Sequence, residues 1–339
     1  MGEAGTNSMS ADLVAPHAPA ADERPRHITA RVSPGDRVFR AAMRASGIAV
    51  LAVTALILTF LLARGISAFR RTGFSFFTTQ SFNANESKFG VASLLTNGVI
   101  IAAIALIIAI PVGVATGLYI SEYAPRALRR PLTSMIDLMA AIPSIVFAMW
   151  GLYFLMGRMV GVEAWLSRHL GFIPGLKATG SSSVQSTFVD SPLIVGVVVS
   201  CLVIPIITSL CREIFSQAPV AEREGAYALG ATRWGMVRTV VLPFGRSGIV
   251  GSSMLGMGRA LGDAIVISFL ITPIYTINSS IVSSGGNSIP YAILLFKDSG
   301  PQWVGALMAA GVVLFALTLA INILGAVVTG RSRSGLVTV

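Results

Sequence analysis

The chain has 339 residues, of which 54% are hydrophobic and only 12% charged. A soluble domain carries about 25% charged residues, so a soluble fold is excluded and an integral membrane protein is expected. The formal charge of +10 rests on 22 Arg and 3 Lys against 15 acidic residues; in a membrane protein that surplus speaks to loop orientation and not to nucleic acid.

Residues 1–40 are polar and Ala/Pro-rich, with Arg24, Arg26, Arg31, Arg37 and Arg40. They read as a disordered cytoplasmic tail. The tail is too long for a signal-peptide n-region, and the apolar run after it has no small-x-small cleavage site at its end, so it is expected to be retained. A membrane span needs about 20 apolar residues. Six windows qualify, at 45–63, 94–120, 132–156, 192–211, 248–272 and 304–329. The expected fold is all-α and polytopic, with a membrane domain over 41–330 and a short cytoplasmic tail over 331–339. An even number of spans puts both termini on one side. If that side is the cytoplasm, the inner segments hold sixteen basic residues and the outer loops eight. This excess favours an N-in, C-in orientation.

Pro111, Pro143 and Pro205 fall in spans two, three and four. Each removes a helix hydrogen bond and invites a kink. Asp137 falls about two turns into the third window. The outer loops cover roughly 65–92, 157–191 and 274–302. In the middle loop, 162–166 (VEAWL) reads as a short amphipathic helix on the membrane surface. The third carries Gly285-Gly286 and an apolar patch at 289–296, read either as an interfacial or re-entrant segment or as a loop packed on the span ends. Cys201 and Cys211 are ten residues apart, about 15 Å along a helix. That is too far for a bridge, and they read as packing residues. His17, His27 and His169 lie outside the spans, and no Cys/His cluster has metal-ligand spacing.

The segment 216–246, between the fourth and fifth windows, is polar. Pro219 is a helix start, and 219–229 holds good helix formers broken by Gly225. Gly230 interrupts. Thr232 caps a second helix, which Pro243 is expected to stop. The result is a helix, a glycine turn and a helix, forming a compact knob.

The fifth window is apolar and Gly-rich. Gly251, Leu255, Gly258 and Gly262 share one helix face, and Gly258/Gly262 is a small-xxx-small pair. Arg259 and Asp263 are four apart and are expected to share a face, about 16 and 22 Å into the span. An isolated Arg at such depth costs at least ~2.5–3.5 kcal/mol. The two charges read as part of a substrate path, or as an internal ion pair without a ligand.

The string Glu224-Gly225-Ala226, with Gly230, Val240, Leu242 and Pro243 following, resembles the EAA loop of ABC importer permeases. The family pattern, E-A-A, three residues, G, nine residues, I, one residue, L-P, fits without a gap. Gly225 departs from Ala, which loosens the first helix by roughly 1 kcal/mol, and Val240 departs from Ile. The resemblance implies that this loop docks into a groove on an ATPase subunit, with Glu224, Gly225, Ala226, Gly230, Leu242 and Pro243 in the coupling surface. The chain has no G-x-x-x-x-G-K-[ST] motif. It is therefore expected to have no catalytic residues, with ATP and Mg handled on the partner.

Three further stretches narrow the resemblance. Residues 254–268 (MLGMGRALGDAIVIS) resemble the G-R-A-L-G-E segment of the phosphate-specific permeases of PstC type. Residues 138–151 (LMAAIPSIVFAMWG) resemble their A-A-I-P-S-I-V-x-x-x-W-G segment, and Arg212-Glu213-Ile214-Phe215 their S-R-E-V-F run. Asp263 stands where that family has Glu. The likeness covers about 90–330. It implies an inner-membrane phosphate importer in which this chain forms half of the path. Its partners would be a homologous PstA-type permease, a PstB-type ATPase dimer and a PstS-type extracytoplasmic phosphate-binding protein.

Arg259 offers a planar fork for an oxyanion, and Asp263 accepts a hydrogen bond from a protonated one. The alternatives are a permease for another oxyanion, such as molybdate or sulfate, and an ion-coupled secondary transporter. The latter should show an internal repeat, and none is evident. An intramembrane enzyme needs convergent nucleophile, acid or metal groups, and the spans offer only Asp137, Arg259 and Asp263.

Overall fold

The computed structural model describes residues 33–83, 88–178 and 187–333. Of the tails expected at 1–40 and 331–339, residues 1–32 and 334–339 lie outside the described residues, and 331–333 are the end of the last helix. The chain divides into two compact units, Met1–Thr54 and Ala55–Val339. In the first unit every described residue is exposed, and the chain is already helical from Pro34. Residues 34–40 are thus helix and not tail. The local reason is a helix start: Pro34 opens the first turn and Asp36 complements its N–H groups. This helix, α1, is Pro34–Thr72.

The second unit continues from Ala55. A short α2 (Ser75–Thr78) leads to a two-stranded antiparallel ribbon, β1 (Phe82–Asn83) with β2 (Lys88–Phe89). Then come α3 (Ala92–Leu118), α4 (Arg126–Ala141), α5 (Ser144–Trp150), α6 (Met156–Leu170) and α7 (Pro192–Ser216). A shorter pair, α8 (Val220–Ala228) and α9 (Arg233–Met236), precedes α10 (Leu242–Gly262). The chain ends in α11 (Ile265–Leu270), α12 (Ile289–Phe296) and α13 (Pro301–Arg333).

The core forms where α3, α7, α10 and α11 meet, around Ile101, Val198, Val203, Ile207 and Val266. The α3–α7 contact is close because glycine sits at the crossing. A Cβ on Gly117 would lie 3.0 Å from the Arg212 nitrogen and the Thr208 oxygen, both backbone atoms that cannot step aside. Gly117→Val is therefore expected to splay the pair and destabilise by about 1–3 kcal/mol. Thermal unfolding of the detergent-purified protein reads this. Gly225→Ala, where nothing lies within 4 Å, is the control and should be neutral or mildly stabilising. A second cluster, Phe76, Phe89, Leu94, Trp303 and Ala310, closes one end of the bundle, with Phe296 stacked on Trp303 at 4.1 Å.

Among the described residues, five helices are long and apolar enough to cross a membrane: Pro34–Thr72, Ala92–Tyr123, Ser144–Leu170, Pro192–Ser216 and Trp303–Thr329. The third lies about a dozen residues later than the window at 132–156. Pro143 disfavours a helical conformation in the residue before it, and Ile142 is extended with ψ 127°. Hence 126–141 becomes a separate amphipathic helix with no buried residue, and Asp137 lies on it, outside any span. Residues 162–166 are the last turns of α6 and not a surface helix. Glu163 in that stretch is fully buried and accepts a hydrogen bond from the Ser191 hydroxyl.

The window at 248–272 holds α10 and α11, broken at Asp263, whose ψ of 114° ends the first piece. Broken helices are tolerated at membrane depth where they are buried in protein or line a cavity. The third outer loop is a packed cap. Asn278 Nδ2 donates to Ser283 O at 3.1 Å and Gly285 O at 2.8 Å. Asn97 ties the loop to α3 through Thr276 O at 3.2 Å and the Asn278 N–H at 3.2 Å. The apolar patch after it is α12, capped by Ser288, which accepts from the Tyr291 N–H.

Candidate functional site

The knob forms from local signals. Helix α8 ends in a left-handed glycine, Gly230, with φ +81°. The Ala231 N–H reaches back to Ala226 O at 3.0 Å and the Gly230 N–H to Tyr227 O at 2.9 Å. This pair of bonds is a Schellman motif, which a residue with a Cβ enters only at a cost. Thr232 then accepts from the Gly235 N–H at 3.1 Å and starts α9. Glu224, Gly225, Gly230 and Pro243 are exposed, whereas Ala226 and Leu242 are half-buried. Leu229 at the tip is 91% exposed and Trp234 on α9 is 55% exposed.

Pro243 does not stop the second helix. The chain stays helical from Arg233 to Gly262 through a π turn at Val237–Val241, where the Leu242 N–H bonds five residues back to Val237 O. The extra residue in that turn shifts the hydrogen-bond register at the point where proline lacks a donor. Val237 and Val241 are buried and hold the turn in the core. The second half of the knob and the segment carrying Arg259 are therefore one continuous helix of thirty residues, Arg233 to Gly262, about 45 Å long.

One anchor of the knob has no local signal. Arg223 Nη1 donates to Glu122 Oε2 at 3.2 Å, and its Nη2 lies 3.1 Å from Oε1. The same Nη2 donates to Phe215 O at 2.5 Å. Ser121 Oγ donates to Glu122 Oε1 at 2.8 Å. Glu122, in the π turn that ends the second span, is only 5% exposed at its side chain and Arg223 21%. The knob is thus pinned at once to the end of the second span and to the C-terminus of α7. A lone carboxylate at the end of an apolar run (YISEYAP) was the available clue. Its partner lies 101 residues away.

Helix α10 has two faces. Gly245, Gly248, Ser252 and Gly256 pack on α7; a Cβ on Gly245 would sit 2.5 Å from the Phe215 ring, and Ser252 Oγ lies 3.3 Å from Cys211 Sγ. On the other face, a Cβ added at Gly251, Gly258 or Gly262 would meet nothing within 4 Å. Leu255 and Arg259 are exposed there. Arg259 lines a cavity of about 350 Å³ with Ile206, Met254, Leu255, Gly258 and Asn322. Among the described residues, no ion pair or hydrogen bond engages its guanidinium.

Asp263 does not pair with Arg259. It is 6% exposed and its Oδ1 accepts from the Val266 N–H at 2.9 Å, capping α11. Four-residue spacing brings side chains together only along an unbroken helix, and the helix ends between these two.

A bundle of long apolar helices, with a polar knob continuous with a broken apolar segment, defines a polytopic membrane protein. Residues 109–334 match the family described as binding-protein-dependent transport system inner membrane component, and the chain belongs to that family. It is 35% identical over 306 residues to phosphate transport system permease protein PstC 2 of Mycobacterium tuberculosis, covering 89% of this chain and 94% of that one. It is 35% identical over 291 residues to PstC of Haemophilus influenzae, covering 85% and 91%. Among solved structures it is similar to a chain of the bacterial alginate ABC transporter in complex with alginate pentasaccharide-bound periplasmic protein. That likeness has a TM-score of 0.56 and 17% identity, and covers 89% of this chain and 98% of the other; it concerns the fold alone.

Proposed function

We propose that this chain is a permease subunit of an ATP-driven importer of inorganic phosphate. Relatives at 35% identity are named for phosphate transport. The observation that carries the reading is the unpaired Arg259, held on the open face of a helix continuous with the knob. An arginine at membrane depth without a partner is costly, and an oxyanion satisfies it bidentately.

In this reading the knob faces the cytoplasm and docks on one subunit of a PstB-type ATPase dimer, which supplies ATP and Mg chemistry. Glu224, Gly225, Ala226, Gly230, Leu242 and Pro243 shape the docked surface. A PstA-type permease covers the open face of α10 and completes the path. A PstS-type protein delivers phosphate at the opposite end. Asp263 ends the helix one turn beyond Arg259 and adds a counter-charge, so the anion is attracted without being trapped.

Uptake of labelled phosphate by cells or proteoliposomes tests this. A hydrogen bond to a charged group contributes about 1.5–3 kcal/mol, so Arg259→Gln should lower uptake about 10–100-fold. Asp263→Asn keeps a capping oxygen and should insert normally while slowing transport. Near-normal uptake in both, with the protein in the membrane, overturns the reading. Stronger competition by sulfate or molybdate than by phosphate would reassign the substrate.

A further inference from the structure

We propose that Asn322 is a second substrate contact in the path, facing the same cavity as Arg259 and reading the protonation state of the anion. The proposal deepens the phosphate reading and rests on it.

Helix α13 is apolar from Trp303 to Val328 except for two polar side chains, Thr318 and Asn322. Thr318 satisfies itself, donating to Phe315 O at 2.9 Å. Asn322 has no such outlet. Its amide is exposed, and among the described residues no hydrogen bond engages it. An unsatisfied amide in hydrocarbon is expensive. It stands about 10 Å from the end of the apolar run at Thr329, too deep to reach water by stretching a short side chain.

The packing explains its position. Gly325, one turn later, receives Met254 of α10 so closely that a Cβ there would lie 2.5 Å from Met254 Cγ. That seat holds α13 against α10 and sets Asn322 in the cavity wall with Arg259. The other lining residues are Ile206, Met254, Leu255 and Gly258, so guanidinium and amide are the two polar groups present. The volume, about 350 Å³, is at the lower end for a small-molecule site.

The two side chains do different chemistry. Arg259 presents donors only; Asn322 presents two donors and a carbonyl acceptor. At neutral pH phosphate still carries a proton on oxygen, and sulfate does not. The Asn322 carbonyl accepts a hydrogen bond from that P–OH group while its NH₂ and the guanidinium donate to the bare oxygens. A fully deprotonated oxyanion meets an acceptor it cannot satisfy. Asn322 is thus a specificity residue and Arg259 a general anion site.

The test uses the complete importer with its own binding protein, reconstituted in proteoliposomes, and follows phosphate uptake and ATP hydrolysis. Asn322→Leu should lower uptake about tenfold, with subunit composition and ATPase stimulation kept. Asn322→Gln, which preserves both hydrogen-bonding ends, should recover most of it. Asn322→Asp, equal in size but negative, should fall below the Leu variant. Normal uptake in Asn322→Leu alongside a defective Arg259→Gln overturns this inference and leaves the phosphate reading standing. Normal uptake in both sinks the reading itself. Loss of the companion permease from purified Asn322→Leu, with no rescue by Gln, makes the residue an interface contact and overturns the proposal.

Discussion

Glu122→Ala should detach the knob and cost the protein about 3 kcal/mol, the lower end of the range for removing one partner from a buried ion pair. The lower end applies because Arg223 keeps 21% of its side chain exposed and water can reach it. What remains is a guanidinium held by the Phe215 carbonyl alone. The melting temperature in detergent should fall, and phosphate uptake should fall by more than tenfold because α8 no longer tracks the end of the second span. The double variant Glu122→Ala/Arg223→Ala should melt above the single one, since it leaves no unpaired charge. Exchanging the two residues should rescue poorly, because a carboxylate at 223 would face the Phe215 carbonyl. An unchanged melting temperature in Glu122→Ala would show that the pair does not hold the knob.

Gly230→Val should abolish uptake while leaving the protein in the membrane. The residue sits at φ +81°, a region that costs a side-chain-bearing residue about 1–2 kcal/mol and a β-branched one more. To relieve that strain the chain must give up the two bonds that turn α8 into α9. The turn that sets α8 and its exposed Leu229 relative to α9 would then be lost. Gly230→Asn should retain most uptake, because Asn tolerates this conformation. Co-purification of the ATPase subunit distinguishes the cause. Loss with Val and retention with Asn is expected; equal ATPase binding by both variants would separate the turn from docking.

The knob was legible because its signals are short-range. Gly230 and Thr232 act through bonds to residues no more than five positions away, so spacing alone places them. The break before Pro143 was legible in principle from the proline rule, but a window of apolar residues averages across it. The passage of helix through Pro243 was not legible. It depends on a π turn whose valines are buried in the core. The charged segment was read with the wrong geometry. Arg259 and Asp263 share a face only if the helix continues, and the capping bond from the Val266 N–H gives Asp263 a different task.

From the sequence by itself follow the membrane class, the helical knob with its turn, and the presence of charge in an otherwise apolar segment. These depend on composition and on contacts within one or two helical turns. The tertiary structure alone decided which helices break, which face of α10 is open, and that Glu122 meets Arg223 across 101 residues. It also placed Asn322 and Arg259, more than sixty residues apart in the chain, in the lining of one cavity. Such pairings depend on how glycine-lined helices settle against one another, and a linear sequence does not display that packing.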